Sequence, residues 1–137
     1  MSRILALDVG ERRIGIAVSD ALNMSAQGIE TLVRQDAGST LDRIKALVKE
    51  YDVAKIVVGL PFNMNGTKGA SAAAVEDFIK TLKNGLSVEI TTVDERLTTA
   101  QGERLLLEAD VSRKKRKACI DKIAAQLILQ TYLELNV

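Results

Sequence analysis

Apolar residues in the first quarter of the chain form short runs that indicate strands. Arg3 to Val9 is an almost continuous apolar run without alternation, as in a strand buried on both faces. Arg13 to Ser19 alternates Ile and Val with Gly, Ala and Ser, and Gln27 to Val33 is a third candidate. The short segment Gly10 to Arg12 suits a hairpin loop. The pattern predicts three antiparallel strands.

Helical and strand patterns alternate in the rest of the chain. The predicted elements are a helix over 41–51, a strand over 55–59, a helix over 75–82, a strand over 88–93, a helix from residue 98 and a helix over 120–135. Ser39 or Thr40 is the expected N-cap of the first helix, and Thr98 with Gln101 forms a capping-box pattern. Strands joined through helices become parallel neighbours. The expected fold class is α/β, with a mixed five-stranded sheet covered by helices on both faces.

The composition indicates the cellular compartment of the protein and restricts the chemistry that a site in it can perform. The 137 residues, 47% of them hydrophobic, are expected to form one domain over 1–137. No signal pattern and no apolar run of about 18 residues is present, and the single cysteine, Cys119, fits a reducing cytoplasm. With no histidine, a histidine-based triad is excluded and zinc lacks its usual ligands. A carboxylate site for Mg²⁺ or Mn²⁺ is the natural candidate.

Acids at the ends of three predicted elements are candidates for such a site. Asp8 ends the first strand, Asp94 and Glu95 close the last strand, and Asp121 begins the last helix on an otherwise apolar stripe. In an open α/β sheet these positions meet above the strand ends. Two divalent ions roughly 4 Å apart would supply the missing counter-charge and activate water toward a phosphodiester.

Each acid also has a local alternative. Asp8 is compatible with a turn that includes Gly10, and Asp94 or Glu95 with an ion pair to Arg96. Asp121 is compatible with a cap at the positive end of the last helix. These roles stay open at this point.

Several basic and amide side chains are candidates for contact with a phosphate backbone. The segment 113–122 has a local charge balance of +5 in a chain of net charge +1, although such a run is also typical of a solvated helix end or loop. The loop GLPFNMNG, which follows a strand, is compatible with a substrate rim or with a simple turn. The candidate nucleic-acid-binding residues are Arg12, Arg13, Asn63, Asn65, Arg96, Arg113, Lys114, Lys115, Arg116 and Lys117.

Four motifs in sequence order resemble the YqgF family, also called RuvX, the Holliday junction resolvase family. They are ALDVGERRIGIAVSD, IVVGLPFNMNGT, VDERLTT, and SRKKRK followed by IDKIAAQLIL, and together they span essentially the whole chain. The resemblance implies a ribonuclease H-like fold and a two-metal endonuclease whose ligands are Asp8, Glu95 and Asp121, with Asp94 as the alternative to Glu95. It also implies 5′-end maturation of pre-16S ribosomal RNA, in contact with a pre-ribosomal particle. Glu11 and Arg12 depart from the Thr-Lys pair that often follows the motif glycine in the family.

Three other functions remain open from the sequence. By analogy with RuvC-type enzymes, the same chemistry on a four-way DNA junction would make the chain a resolvase, which needs a dimer to cut two strands symmetrically. A chain that keeps the fold but does not catalyse cleavage would be a non-catalytic RNA-binding module. The segment DVGERRIG also resembles the phosphate loop of sugar kinases, Hsp70 and actin, although those proteins place nucleotide between two such domains. The sequence is compatible with a monomer or a homodimer.

Overall fold

A computed structural model describes residues 2–63, 65–97 and 113–135, except for the side chains of residue 97 and of residues 113–121. Its elements are β1 (Arg3–Val9), β2 (Arg13–Ser19), β3 (Ala26–Val33), α1 (Ala37–Glu50), β4 (Val53–Leu60), α2 (Ala70–Gly85), β5 (Glu89–Asp94), a short 3-10 helix (Glu95–Leu97) and α3 (Arg113–Leu135). For the residues that the structure describes, this order confirms the predicted sequence of strands and helices. The helix predicted from Thr98 lies outside the described residues.

The five strands form one mixed sheet in the order β3-β2-β1-β4-β5. Strands β1, β2 and β3 pair antiparallel, whereas β4 pairs parallel with β1 on one side and with β5 on the other. The predicted α/β architecture is therefore confirmed. Because β1, β4 and β5 are parallel, Asp8, Gly59 and Asp94 all lie near the same edge of the sheet.

The two faces of the sheet carry side chains of different size. Large residues such as Leu7, Ile16 and Ile56 form one core with α1 and α2. The opposite face presents smaller residues to α3, and its buried cluster contains Ala6, Ala17, Val57, Val93, Ala125, Ile128 and Leu129. Small side chains let a helix approach a sheet closely, because less volume separates the two backbones. The helix α3 is consequently held close to the sheet at the end that carries the acids.

Helix α1 begins earlier than its apolar pattern indicates. Its N-cap is Asp36, whose Oδ1 accepts a hydrogen bond of 2.7 Å from the backbone N–H of Ser39. The prediction of Ser39 or Thr40 as the cap was wrong, and Thr40 is instead buried inside the helix. The periodic apolar residues start only at Leu41, so the pattern omits the first turn.

Helix α3 also begins earlier than predicted, at Arg113 instead of Ile120. The basic run forms its first turns, since Lys, Arg and Ala are good helix formers without any packing partner. Asp121 therefore lies more than two turns inside the helix, and its predicted role as a helix cap is wrong. Although α3 is 23 residues long, no helix within the described ranges is long and apolar enough to cross a membrane.

Candidate active site

Two of the predicted acids meet at the carboxyl edge of the sheet. Asp8 follows Ala6 by two residues on β1, so it lies on the face that α3 covers. Glu95 is the first residue of the 3-10 helix that continues β5. The two side chains are hydrogen-bonded to each other, although β1 and β5 are separated by β4. The structure thus joins two candidates that are 87 positions apart in the sequence.

The pairing changes the protonation of Glu95. Partial burial raises the pKa of Glu95 to about 8, and the hydrogen bond to Asp8 together with the negative charges of Asp8 and Asp94 acts in the same direction. Without a cation, the two carboxylates therefore share a proton at neutral pH. A divalent cation would replace that proton and remove the repulsion between the two groups.

The neighbouring acid, Asp94, has a different partner. The guanidinium of Arg96 donates from Nε to both carboxylate oxygens of Asp94, at 3.1 and 2.9 Å, and from a terminal nitrogen as well. These hydrogen bonds lower the pKa of Asp94. The predicted ion pair with Arg96 is confirmed for Asp94, and Glu95 is the member of the pair that contacts Asp8.

The third predicted acid, Asp121, is described only by its backbone. It lies in α3 two helical turns before Ile128, which is 1% exposed and packs against the sheet. Among the side chains that the structure describes, no group of three or more acids, histidines or cysteines is placed to hold a metal ion. The described part of the site is the Asp8–Glu95 pair.

The loop after β4 lies beside this pair. Its two predicted amides form hydrogen bonds within the loop: Asn63 Nδ2 donates to Thr67 Oγ1 at 3.0 Å, and Asn65 Oδ1 accepts from the Thr67 N–H at 3.1 Å. Arg96 lies over the ring of Phe62, 5.4 Å from its centroid. Both amides therefore shape the turn, as the simple-turn interpretation requires, and Arg96 links the loop to the carboxylate turn.

The remaining predicted cations lie at two places. Arg12 and Arg13 are exposed at the β1–β2 turn, whereas the basic run is described only as helical backbone at the start of α3. Glu11 lines a cavity of about 450 Å³ beside α1 and α2, on the side of the sheet opposite α3.

Arg34 is a cation that holds the turn after Asp8 from the face of α1 and α2, and the sequence analysis missed it. Its guanidinium donates to the carbonyl of Gly10 at 2.7 Å, and its backbone N–H donates to the carbonyl of Arg12 at 2.8 Å. The guanidinium also lies over the ring of Phe78, 5.1 Å from the centroid. Only the pairing of β2 with β3 brings Arg34 to this turn, so no local pattern in the sequence could have indicated it.

The strand order β3-β2-β1-β4-β5, in which three antiparallel strands are followed by two parallel ones, is that of the ribonuclease H-like fold. The structure of T. thermophilus RuvC in complex with Holliday junction substrate shares this fold, with a TM-score of 0.66 over 100% of this chain and 98% of RuvC at 12% identity.

Sequence comparison identifies the family. The family model described as RuvX, Holliday junction resolvase, matches residues 2–135. A relative from Natranaerobius thermophilus is 52% identical, over 98% of this chain and 96% of its own length. Another, from Bacillus mycoides, is 53% identical over 96% and 98%. Both relatives bear the name "Putative pre-16S rRNA nuclease". The chain belongs to the RuvX family, and the resemblance noted from its motifs is confirmed.

Proposed function

We propose that this nuclease is a metal-dependent endonuclease that matures the 5′ end of pre-16S ribosomal RNA, with Asp8, Glu95 and Asp121 as its metal ligands. The hydrogen-bonded pair of Asp8 and Glu95 is the observation that carries the proposal. Such a pair is unfavourable when both groups are ionised, and it becomes favourable once a cation lies between them.

The donor chemistry of the site fits Mg²⁺ or Mn²⁺. Both ions prefer carboxylate oxygens, which Asp8 and Glu95 supply from a rigid strand and from the turn after β5. The helical repeat places Asp121 on the same stripe of α3 as Ala125 and Ile128, which pack against the sheet. Bound ions would supply Lewis acidity that lowers the pKa of water and neutralises charge on the phosphodiester.

The chain's own residues bind and orient the substrate in this proposal. The basic run at the start of α3 provides phosphate contacts on the helix that carries Asp121. Arg12 and Arg13 extend the cationic surface from the turn that follows Asp8. The Asp94–Arg96 pair holds the turn of Glu95 against the loop of Asn63 and Asn65.

The names of the relatives support RNA as the substrate. The two relatives described above are more than half identical over nearly their full lengths, and both are named for pre-16S rRNA. We infer that the chain acts in the cytoplasm on a precursor in a pre-ribosomal particle, as one domain over 1–137. A four-way DNA junction is the second candidate, favoured by the family description and by the substrate bound to T. thermophilus RuvC.

Cleavage of a 5′-extended 16S rRNA fragment in Mg²⁺ or Mn²⁺ tests the proposal. We expect the wild type to cut, and Asp8→Asn, Glu95→Gln and Asp121→Asn each to lose about 100-fold or more in rate while they largely keep RNA affinity. Glu11→Gln is the matched control, because Glu11 lines the cavity beside α1 and α2. It should cut at the wild-type rate.

The same variants distinguish the alternatives. A protein that cuts a four-way DNA junction symmetrically as a dimer, and leaves the RNA intact, is a resolvase. Equal RNA binding by the wild type and all three acid variants, without cleavage of either polymer, would show a binding module.

A further inference from the structure

Glu95 can meet Asp8 only by reaching across β4. The sheet order is β1-β4-β5, so β4 lies between the strand of Asp8 and the strand that leads to Glu95. Adjacent strands are about 4.8 Å apart, which puts the two outer strands about 10 Å apart. The Glu95 side chain must therefore cover most of the width of β4 to form its hydrogen bond with Asp8.

The residue under this path is Gly59. It pairs with Val93 of β5, and Val93 packs on the face that α3 covers. A Cβ atom built on Gly59 would lie 2.6 Å from Glu95 Oε1 and 2.9 Å from Glu95 Cγ. Both distances are shorter than ordinary van der Waals contact. The Glu95 side chain thus occupies the space that any side chain at position 59 would need.

The same Cβ atom would also lie 2.5 Å from Cδ1 of Ile128 on α3. Gly59 therefore has two neighbours that a side chain would displace, one of them the carboxylate and the other a core residue. If Gly59 serves to position Glu95, removal of the Ile128 contact alone does not restore the arrangement of the site in a variant with a side chain at position 59. If Gly59 serves only the packing of α3, removal of that contact restores it.

We propose that Gly59 is a positioning residue for Glu95: its missing side chain leaves the slot through which Glu95 reaches across β4 to Asp8. This inference rests on the proposed metal site for its functional meaning. Any larger residue at position 59 moves the Glu95 carboxylate away from Asp8 and weakens cation binding, even when the contact with Ile128 is removed.

Three variants test this inference: Gly59→Ala, Ile128→Val and the double variant. Ile128→Val deletes the Cδ1 atom that contacts position 59 and leaves Glu95 unchanged. The measurements are the Kd for Mn²⁺ by calorimetry on metal-free protein, and the Tm in EDTA. We expect Gly59→Ala to lower the Tm and to weaken Mn²⁺ binding at least about tenfold. The double variant should recover most of the Tm and keep the weakened Kd.

The inference is overturned if the double variant binds Mn²⁺ as tightly as Ile128→Val alone, because Gly59 would then serve only the packing of α3. Equal Mn²⁺ affinity of the wild type and Glu95→Gln would instead contradict the metal site. In that case a crystal structure of the double variant decides the positioning role: a retained Glu95–Asp8 hydrogen bond overturns it, and a separated pair supports it.

Discussion

At the scale of single residues, Asp8 and Glu95 are acids that the fold keeps close together at some cost in stability. The pKa of Glu95 is raised from 4.5 to about 8. The folded state therefore holds its proton more tightly than the unfolded state does. It follows from linkage that the free energy of unfolding of the metal-free protein decreases as the pH rises from about 4.5 to about 8.

We expect Glu95→Gln to remove this pH dependence, because a neutral amide replaces the titrating group. In EDTA at pH 8 the variant should be more stable than the wild type by about 1–2 kcal/mol, after allowance for solvent screening of a partly exposed group. Urea denaturation at pH 5 and pH 8 measures both effects. Glu134→Gln, which changes an exposed acid, should leave the pH dependence intact. An unchanged decline in Glu95→Gln would contradict the assignment.

At the scale of elements, α3 packs closely against the sheet beside Asp121, the third proposed ligand. A Cβ atom built on Gly28 of β3 would lie 3.0 Å from the carbonyl oxygen of Lys122. Lys122 directly follows Asp121 in α3, so a displacement at this contact would shift the helix where it carries the third proposed ligand.

Gly28→Ala should push α3 outward and lower the free energy of unfolding by about 1–3 kcal/mol. Gly38→Ala is the matched control, since its Cβ atom would meet only Asp36 Oδ1, at an ordinary 3.4 Å, in the first turn of α1. That change should be neutral or stabilising by about 0.4–1 kcal/mol. The midpoints of denaturant-induced unfolding of the two variants test this prediction. Equal midpoints would contradict a tight contact at Gly28.

In this chain the apolar pattern predicts the bounds of strands more closely than the starts of helices. The bounds of β1 and β2 were predicted correctly, because buried strands bounded by a short turn have a clear local pattern. All three helices, α1, α2 and α3, begin before the first residue of the apolar pattern that predicted them. Hydrophobic periodicity shows where large apolar side chains of a helix pack against the core, and the first turns of these helices, made of polar or small residues, lack such side chains.

At the scale of the whole molecule, the distribution of charge bears more on the binding of a phosphate backbone than the net charge does. The net charge is only +1, whereas residues 113–122 carry a balance of +5 and form the start of α3. A cationic segment of this kind attracts a phosphate backbone and releases the counterions bound to it.

Removing three of these cations should therefore reduce the salt dependence of RNA binding. For Lys114→Ala, Lys115→Ala and Lys117→Ala combined, we expect the slope of log K against log salt concentration to fall in magnitude by about 2 with single-stranded RNA. A control with Lys45, Lys80 and Lys83 changed to Ala removes the same charge from exposed positions on α1 and α2. Equal slopes in the two triple variants would contradict a specific role for the basic run.

The sequence by itself determined the order of the described elements, the α/β class and the family. Local periodicity and short motifs carry that information. Only the tertiary structure decided that Glu95 is the acid that contacts Asp8, that Arg34 lies beside the turn after Asp8, and that Gly59 lies under the carboxylate pair. These relations join strands far apart in the chain, and they depend on sheet order and close packing, which no local pattern encodes.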